Sequence, residues 1–154
     1  CLVKKTSMEI ILQKATELGI AKIIPIISER TEVKDLNLER AKKIVVEATE
    51  QSNQLNVPDI QEPQKLKDFI NSLDSNASLF FADINTEKKI DNKIIEKSKK
   101  ISVLIGPEGD FSPTEREMIL AKDNVISFSL SKNILRTETA AISALSLINY
   151  SLNL

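Results

Sequence analysis

Residues 101–116 read ISVLIGPEGDFSPTER, and this stretch decides the class of fold. Its first five residues, 101–105, form an apolar run that is typical of a buried strand. The glycines of residues 106–109 favour a sharp turn directly after that strand. Residues 112–115, SPTE, then combine an N-cap serine, a first-turn proline and a capping-box glutamate, which predict a helix to about residue 122. Strand, turn and helix in this order are the building unit of an α/β domain.

The chain upstream begins with the same two kinds of element. Residues 6–9 have capping-box spacing, and apolar residues at helical intervals follow them. Gly19 is placed to close this helix in a left-handed conformation. Residues 22–27 are an apolar run that predicts a buried strand, which Pro25 makes either an edge strand or a locally broken one.

The middle of the chain continues the alternation. Asn37 is a suitable N-cap for a helix over residues 38–54. Pro63 is expected to open a shorter helix. The apolar run Ser78–Ala82 predicts a strand, and residues 85–100 predict a polar connector with one short amphipathic helix.

The last third predicts a strand over residues 125–130, a polar segment over 131–139 and an apolar helix over 140–152. Helices and strands therefore alternate through the whole chain. This order predicts an α/β fold with a mainly parallel sheet and helices on both faces.

Length and composition limit the chemistry. The 154 residues correspond to one domain, at roughly 100–200 residues per domain. A single cysteine, Cys1, excludes a disulfide framework, and the absence of histidine excludes Ser-His-Asp catalysis and His-ligated zinc. We expect no metal, and no apolar run is long enough to predict a membrane span. Because the chain begins with Cys1 rather than Met, we expect an N-terminal portion to be missing.

Charge and aromatic content also bear on nucleic-acid binding. The formal net charge is −1, so any contact with nucleic acid needs a local basic patch or a partner domain. Aromatic residues make up 4% of the chain, which disfavours a base-stacking platform.

Two loops carry unusual residues at predicted strand ends, where open α/β sheets bind their ligands. The first, residues 106–111, matches neither the Walker loop nor the GxGxxG pattern, so a plain strand-to-helix turn stays open as its role. The second, residues 131–139, contains Arg136 and Glu138 beside a nearly chargeless helix. These two side chains are either an ion pair that caps the helix or functional groups.

Several motifs, in order along the chain, resemble one family. They are Gln13-Lys14-Ala15-Thr16-Glu17-Leu18-Gly19, Ile24-Pro25 with Glu29-Arg30, Glu47-Ala48 with Glu50-Gln51, Val57-Pro58, Ile105-Gly106-Pro107-Glu108-Gly109 with Phe111, and Ile134-Leu135-Arg136-Thr137-Glu138-Thr139-Ala140. With these motifs the chain resembles the bacterial ribosomal RNA uracil-N3 methyltransferases of the SPOUT class. The resemblance covers essentially the whole chain.

The resemblance implies a fold and an activity. The C-terminal part would form a SPOUT-type trefoil knot, an exception to the rule that chains are unknotted. The protein would be a cytoplasmic homodimer that methylates N3 of one uridine in the 16S ribosomal RNA of the small ribosomal subunit, with S-adenosyl-L-methionine as cofactor. Residues 1–154 would be the SPOUT methyltransferase domain, without the N-terminal PUA-like RNA-binding domain that full-length members carry.

The resemblance also implies roles for individual residues. Arg136 and Glu138 would be catalytic, and Lys14, Arg30, Lys132 and Arg136 would contact RNA. The cofactor would be bound by Leu104, Ile105, Gly106, Pro107, Glu108, Gly109, Leu130, Ser131, Asn133, Ile134, Leu135, Thr139 and Ala140.

The chain departs from the family pattern at three positions. Asp110 stands where a second consecutive glycine is usual, Ser131 replaces a usual glycine, and Gln54 stands where arginine is common. These departures keep two alternatives open. One is a related SPOUT enzyme that acts on another RNA, and the other is a catalytically silent module that binds RNA or the ribosome.

Overall fold

The computed structural model describes residues 1–152. Its helices and strands alternate as the sequence predicts. In chain order they are α1 (Lys5–Glu17), β1 (Lys22–Ile23), β2 (Ile26–Ile27), α2 (Leu38–Gln51), β3 (Asp59–Ile60), β4 (Gln64–Lys65), α3 (Leu66–Asn71), β5 (Ser78–Ala82), α4 (Asn92–Lys97), β6 (Ile101–Ile105), α5 (Pro113–Leu120), β7 (Val125–Phe128) and α6 (Thr137–Leu152).

The first helix starts earlier than its sequence signal indicates. Its N-cap is Lys4, whose side chain makes no capping hydrogen bond, so the capping box predicted at residues 6–9 is wrong. Helical hydrogen bonding has already begun at these residues, since the Met8 N–H donates to the Lys4 carbonyl at 2.9 Å. The Glu9 carboxylate accepts hydrogen bonds from the Arg40 guanidinium instead of from the backbone. The end of the helix is as predicted: Gly19 follows it with a φ of +76°.

Pro25 splits the predicted strand of residues 22–27 in two, which confirms the local break. β1 pairs in parallel with β3, and β2 pairs in parallel with β4. Three residues separate β3 from β4, whereas two residues, including Pro25, separate β1 from β2. The register shows this extra residue, since Lys22 is opposite Asp59 and Ile26 is opposite Gln64. The two-residue strands β3 and β4 have too little apolar periodicity to be predicted. The helix expected at Pro63 is also corrected, because β4 comes first and α3 starts at Leu66.

The main sheet has three parallel strands in the order β6-β5-β7. The central strand, β5, buries both of its faces: Leu79 and Phe81 point one way and Phe80 points the other. Helices α3 and α5 cover the first face, and α4 and α6 cover the second. The predicted α/β fold with parallel strands and helices on both sheet faces is therefore confirmed.

A third apolar cluster lies outside the main sheet and joins α1 and α2 to β1 and β3. It also includes Leu2 and Val3, and the Leu2 N–H donates to the Ile26 carbonyl at 2.8 Å. None of the described helices is long and apolar enough to cross a membrane.

The helix ends beside the main sheet set up the site. Ser112 caps α5 through the predicted capping box with Glu115. The last helix begins at Thr137 rather than at residue 140, and the Ala140 N–H donates to the Arg136 carbonyl at 2.8 Å. Glu138 and Thr139 thus lie in the first turn of α6 rather than in a loop.

Candidate functional site

A cavity of about 250 Å³ opens at the carboxyl ends of β5, β6 and β7. Parallel α/β sheets bind their ligands at this edge. The cavity volume is close to the lower limit of about 300 Å³ for small-molecule sites. The cavity is lined by Ala82, Asp83, Ile84, Ile105, Gly106, Pro107, Glu108, Asp110, Ser129, Leu130, Ser131, Asn133, Ile134, Leu135, Arg136, Thr137 and Ala140.

Most of the residues assigned to a cofactor from the sequence line this one cavity. They are Ile105, Gly106, Pro107, Glu108, Leu130, Ser131, Asn133, Ile134, Leu135 and Ala140. Three others do not. Leu104 is buried in the core beside α3 and α5, Gly109 packs against Arg30, and Thr139 is exposed on the first turn of α6.

The loop between β6 and α5 turns at Asp110 rather than at a glycine. Asp110 has a φ of 56°, and its N–H donates to the Pro107 carbonyl at 3.0 Å. Phe111 anchors the loop to the sheet, because its ring meets that of Phe81 edge-to-face with centroids 5.5 Å apart. Gly106 has a steric role instead: a Cβ there would lie 3.1 Å from Asp110 Oδ1.

The loop after β2 holds the β6–α5 loop from outside. The Arg30 guanidinium donates to the Gly109 carbonyl at 3.2 Å, and the Glu29 N–H donates to the Glu115 carboxylate at 2.8 Å. Arg30, which we expected to contact RNA, is exposed beside the cavity loop.

The two lysines expected to contact RNA differ in their surroundings. Lys14 forms an ion pair with Glu17 on α1, with Nζ–Oε1 at 2.9 Å. Lys132 is exposed between Ser131 and Asn133, which both line the cavity. Lys132 therefore has the better position to touch a large substrate that lies over the cavity.

The loop after β7 is held by its own side chains. The Asn133 N–H donates to Ser131 Oγ at 3.0 Å, and Ser129 Oγ donates to the Ser131 carbonyl at 3.3 Å. Ile134 lines the cavity and is 84% exposed, a large apolar surface for a solvent-facing side chain.

Arg136 and Glu138 lie on either side of the start of α6. Arg136 is exposed and lines the cavity, whereas Glu138 is half-buried in the first helical turn and does not line it. The ion pairs of residues 1–152 do not include one between these two side chains. A helix-capping Arg–Glu pair is therefore not their role here.

The loop after β5 also belongs to the cavity, although it was not predicted from the sequence. Asp83 lines the cavity, is 2% exposed and accepts three hydrogen bonds of 2.8–3.1 Å from the Arg116 guanidinium. The hydrogen bond to Asp83 raises the pKa of Arg116. Asp83 directly follows a strand that was predicted, so the rule that ligands bind at strand ends would have found it.

Fold and cavity together define a class: an α/β domain with a cavity where the parallel strands of the sheet end, which is the place where such sheets bind ligands. The family model described as "RNA methyltransferase domain" matches residues 1–149, and the chain belongs to that family.

Relatives and solved structures are similar along nearly the whole chain. The ribosomal RNA small subunit methyltransferase E of Rickettsia conorii is 37% identical over 149 residues, covering 94% of this chain and 59% of the relative. The protein of the same name from Aquifex aeolicus is 35% identical, covering 92% and 62%. This chain therefore spans about 60% of the length of these relatives.

Among solved structures, ribosomal RNA small subunit methyltransferase E from Neisseria gonorrhoeae, bound to S-adenosyl methionine, superposes with a TM-score of 0.89 at 31% identity. That match covers 97% of this chain and 62% of the other. A chain from Legionella pneumophila, also in complex with this cofactor, gives 0.87 at 30% identity, covering 97% and 63%.

Proposed function

We propose that this chain transfers a methyl group from S-adenosylmethionine to N3 of a uridine in the 16S ribosomal RNA of the small ribosomal subunit. The observation that carries the proposal is the cavity, where the loops after β6 and β7 meet at the strand ends. Membership of the RNA methyltransferase domain family and the names of the relatives support the reaction and the substrate.

The cavity lining suits S-adenosylmethionine. An adenine ring needs an apolar slot with backbone hydrogen-bonding groups at its edge. Ile105, Leu130 and Leu135 supply apolar side chains, and the loops at Gly106 and Ser131 bring backbone close to the cavity. The similar structures that contain this cofactor support the assignment.

The chemistry then depends on charge and alignment. The cofactor supplies an electrophilic methyl group on a sulfonium. Uracil N3 carries a proton at neutral pH, and this proton must leave as the N–C bond forms. With no histidine in the chain, a carboxylate, a hydroxyl or water must accept this proton. Of the base and orienting roles open to Glu138, its place outside the cavity lining favours the orienting one.

Arg136 has the complementary role. Loss of the N3 proton places negative charge on the uracil carbonyl oxygens, and a guanidinium beside them stabilises that charge. Arg136 is exposed at the cavity and not engaged in an ion pair within residues 1–152, so its charge is available to the substrate. Alignment of methyl donor and acceptor contributes further to the rate.

The RNA would be held by phosphate contacts from Lys14, Arg30, Lys132 and Arg136. Arg30, Lys132 and Arg136 are exposed around the cavity, which supports their part in this surface. An RNA complex held in this way loses affinity as salt concentration rises.

Three further features belong to the proposal: a C-terminal trefoil knot, a homodimer and a cytoplasmic location with the ribosome. The meeting of the β6–α5 and β7–α6 loops at one cavity supports the knot. Exposed Leu147 and Tyr150 on α6, together with Ile10 on α1, support a subunit interface. Sedimentation velocity tests the dimer, and a monomer at micromolar concentration would contradict it.

The function is tested in two steps. Calorimetric titration with S-adenosylmethionine should give saturable binding at one site per chain. With radiolabelled cofactor, the chain should then methylate small ribosomal subunits that lack the modification, with N3-methyluridine as product. Transfer to transfer RNA instead would indicate a related enzyme, and binding without transfer to any RNA would indicate a silent module.

A further inference from the structure

The carboxylate of Asp110 is held in the wall of the cavity. Its backbone closes the turn onto Pro107, and its side chain lies against Gly106, with Oδ1 3.1 Å from where a Cβ on that glycine would be. Its other oxygen, Oδ2, accepts a long hydrogen bond of 3.4 Å from the Asn85 amide. The Asp110 side chain thus connects the loop after β6, to which it belongs, with the loop after β5.

The charge of this carboxylate is less compensated than that of its acidic neighbour. Asp83 also lines the cavity, but three hydrogen bonds from Arg116 neutralise it. Asp110 attracts Arg116 through space, yet within residues 1–152 it has no ion-pair partner within 4 Å. A half-buried carboxylate of this kind favours a ligand that brings a positive charge.

The position of Asp110 in the cavity indicates which end of the ligand it meets. Ile105, Leu130, Leu135 and Ala140 form the apolar part of the cavity and suit a nucleobase. Asp110 belongs to a more exposed and polar part of the cavity wall, because its neighbours Glu108 and Asn85 are exposed. With the base in the apolar part, the flexible amino-acid end of S-adenosylmethionine would extend toward this more exposed part of the cavity.

We propose that Asp110 binds the α-ammonium group of S-adenosylmethionine and makes the cavity selective for nucleosides that carry an amino acid. This assignment rests on the proposed function and names the part of the cofactor that this residue recognises. The ammonium donates up to three hydrogen bonds, whereas the sulfonium donates none, so a carboxylate gains more from the ammonium.

The substitution Asp110→Asn tests the charge alone. Asparagine has the same size and also tolerates the left-handed backbone that the φ of 56° requires. Asp110→Gly is the second variant: it removes the side chain, and glycine adopts this φ without strain. Circular dichroism and a thermal melt of both variants establish that the fold is intact.

Three ligands separate the contacts by calorimetric titration. S-adenosylmethionine has both cations, S-adenosylhomocysteine keeps the ammonium without the sulfonium, and 5′-methylthioadenosine has neither. We expect both substitutions to lower the affinity for the first two ligands about tenfold, which corresponds to the loss of one charged hydrogen bond. Affinity for 5′-methylthioadenosine should stay within about twofold.

The other outcomes overturn the assignment in distinguishable ways. Unchanged affinity for S-adenosylmethionine means that Asp110 does not touch it. Equal weakening of all three ligands means that Asp110 acts only by shaping the loop. A lower affinity for S-adenosylmethionine alone would mean that Asp110 contacts the sulfonium and not the ammonium. If the wild-type chain binds none of the three, the proposed function itself fails, and this assignment fails with it.

Discussion

Arg136 illustrates how one residue's surroundings restrict its role. It supplies the carbonyl that begins the hydrogen bonding of α6, while its side chain is exposed at the cavity and free of Glu138. An arginine with a structural role would be expected to donate its guanidinium hydrogen bonds to protein carbonyls or carboxylates. The available guanidinium favours a role toward the substrate.

We therefore predict that Arg136→Ala lowers the rate of methyl transfer at least about 100-fold, the usual effect of removing one group that stabilises developing charge. The dissociation constant for S-adenosylmethionine should change by less than about threefold. Single-turnover transfer and calorimetry measure the two quantities. Lys132→Ala, in the same exposed loop, is the matched control and should mainly weaken RNA binding. Equal losses of transfer and cofactor binding in Arg136→Ala would contradict the assignment.

At the scale of elements, the end of α1 shows where a backbone conformation requires glycine. α1 ends where the Leu18 N–H donates to Lys14, and Gly19 then takes its left-handed turn. Gly109 also lies in a turn, in the β6–α5 loop, but its φ is not in the left-handed range. The two glycines should therefore respond differently to the same substitution.

We predict that Gly19→Ala lowers the free energy of unfolding by about 1–2 kcal/mol, because a side chain is strained at a φ of +76°. Gly109→Ala should cost less than about 0.5 kcal/mol, since its Cβ would meet Arg30 Cβ at an ordinary contact distance of 3.4 Å. Urea denaturation followed by circular dichroism gives both values. Similar losses in the two variants would show that the backbone conformation is not what requires glycine at position 19.

At the scale of the whole molecule, two of the ion pairs that connect distant segments differ in burial. Arg116 on α5 meets Asp83 after β5, and Lys100 before β6 meets Asp74 after α3. The first pair has a carboxylate with 1% side-chain exposure, whereas the second is open to solvent on both sides. Their contributions to stability should differ accordingly.

Replacing Arg116 by Met should destabilise the fold by about 2 kcal/mol, because the buried Asp83 carboxylate would lose its main partner. Lys100→Met is the matched control and should cost less than about 1 kcal/mol, as is usual for exposed pairs. Both values come from chemical denaturation at neutral pH. A control variant that loses as much stability as Arg116→Met would contradict the role of burial.

The N-terminal half of the chain also shapes the cavity from a distance. Arg30 and Glu29 contact Gly109 and Glu115, which are about eighty residues further along the chain. These contacts hold the β6–α5 loop from outside, so the site depends on how the two halves pack.

Much of this protein follows from local patterns in its sequence. The runs at 78–82 and 101–105 predict strands because they are apolar and end at polar residues or glycine, and the SPTE motif predicts the start of α5 because its side chains satisfy its own first turn. The two loops at strand ends are found in the same way. These features depend on neighbours within a few residues, which the sequence places side by side.

Only the tertiary structure decided the rest. It makes β5 the central strand, pairs Asp83 with Arg116 and leaves Leu104 and Gly109 outside the cavity lining. Within residues 1–152 it also forms no ion pair between Arg136 and Glu138. It also puts the left-handed turn at Asp110 rather than at either glycine of that loop. The Asp83–Arg116 pair joins residues 33 positions apart, and the contacts that fix the β6–α5 loop and the start of α5 join residues 25 to 86 positions apart. No local pattern encodes contacts over such distances.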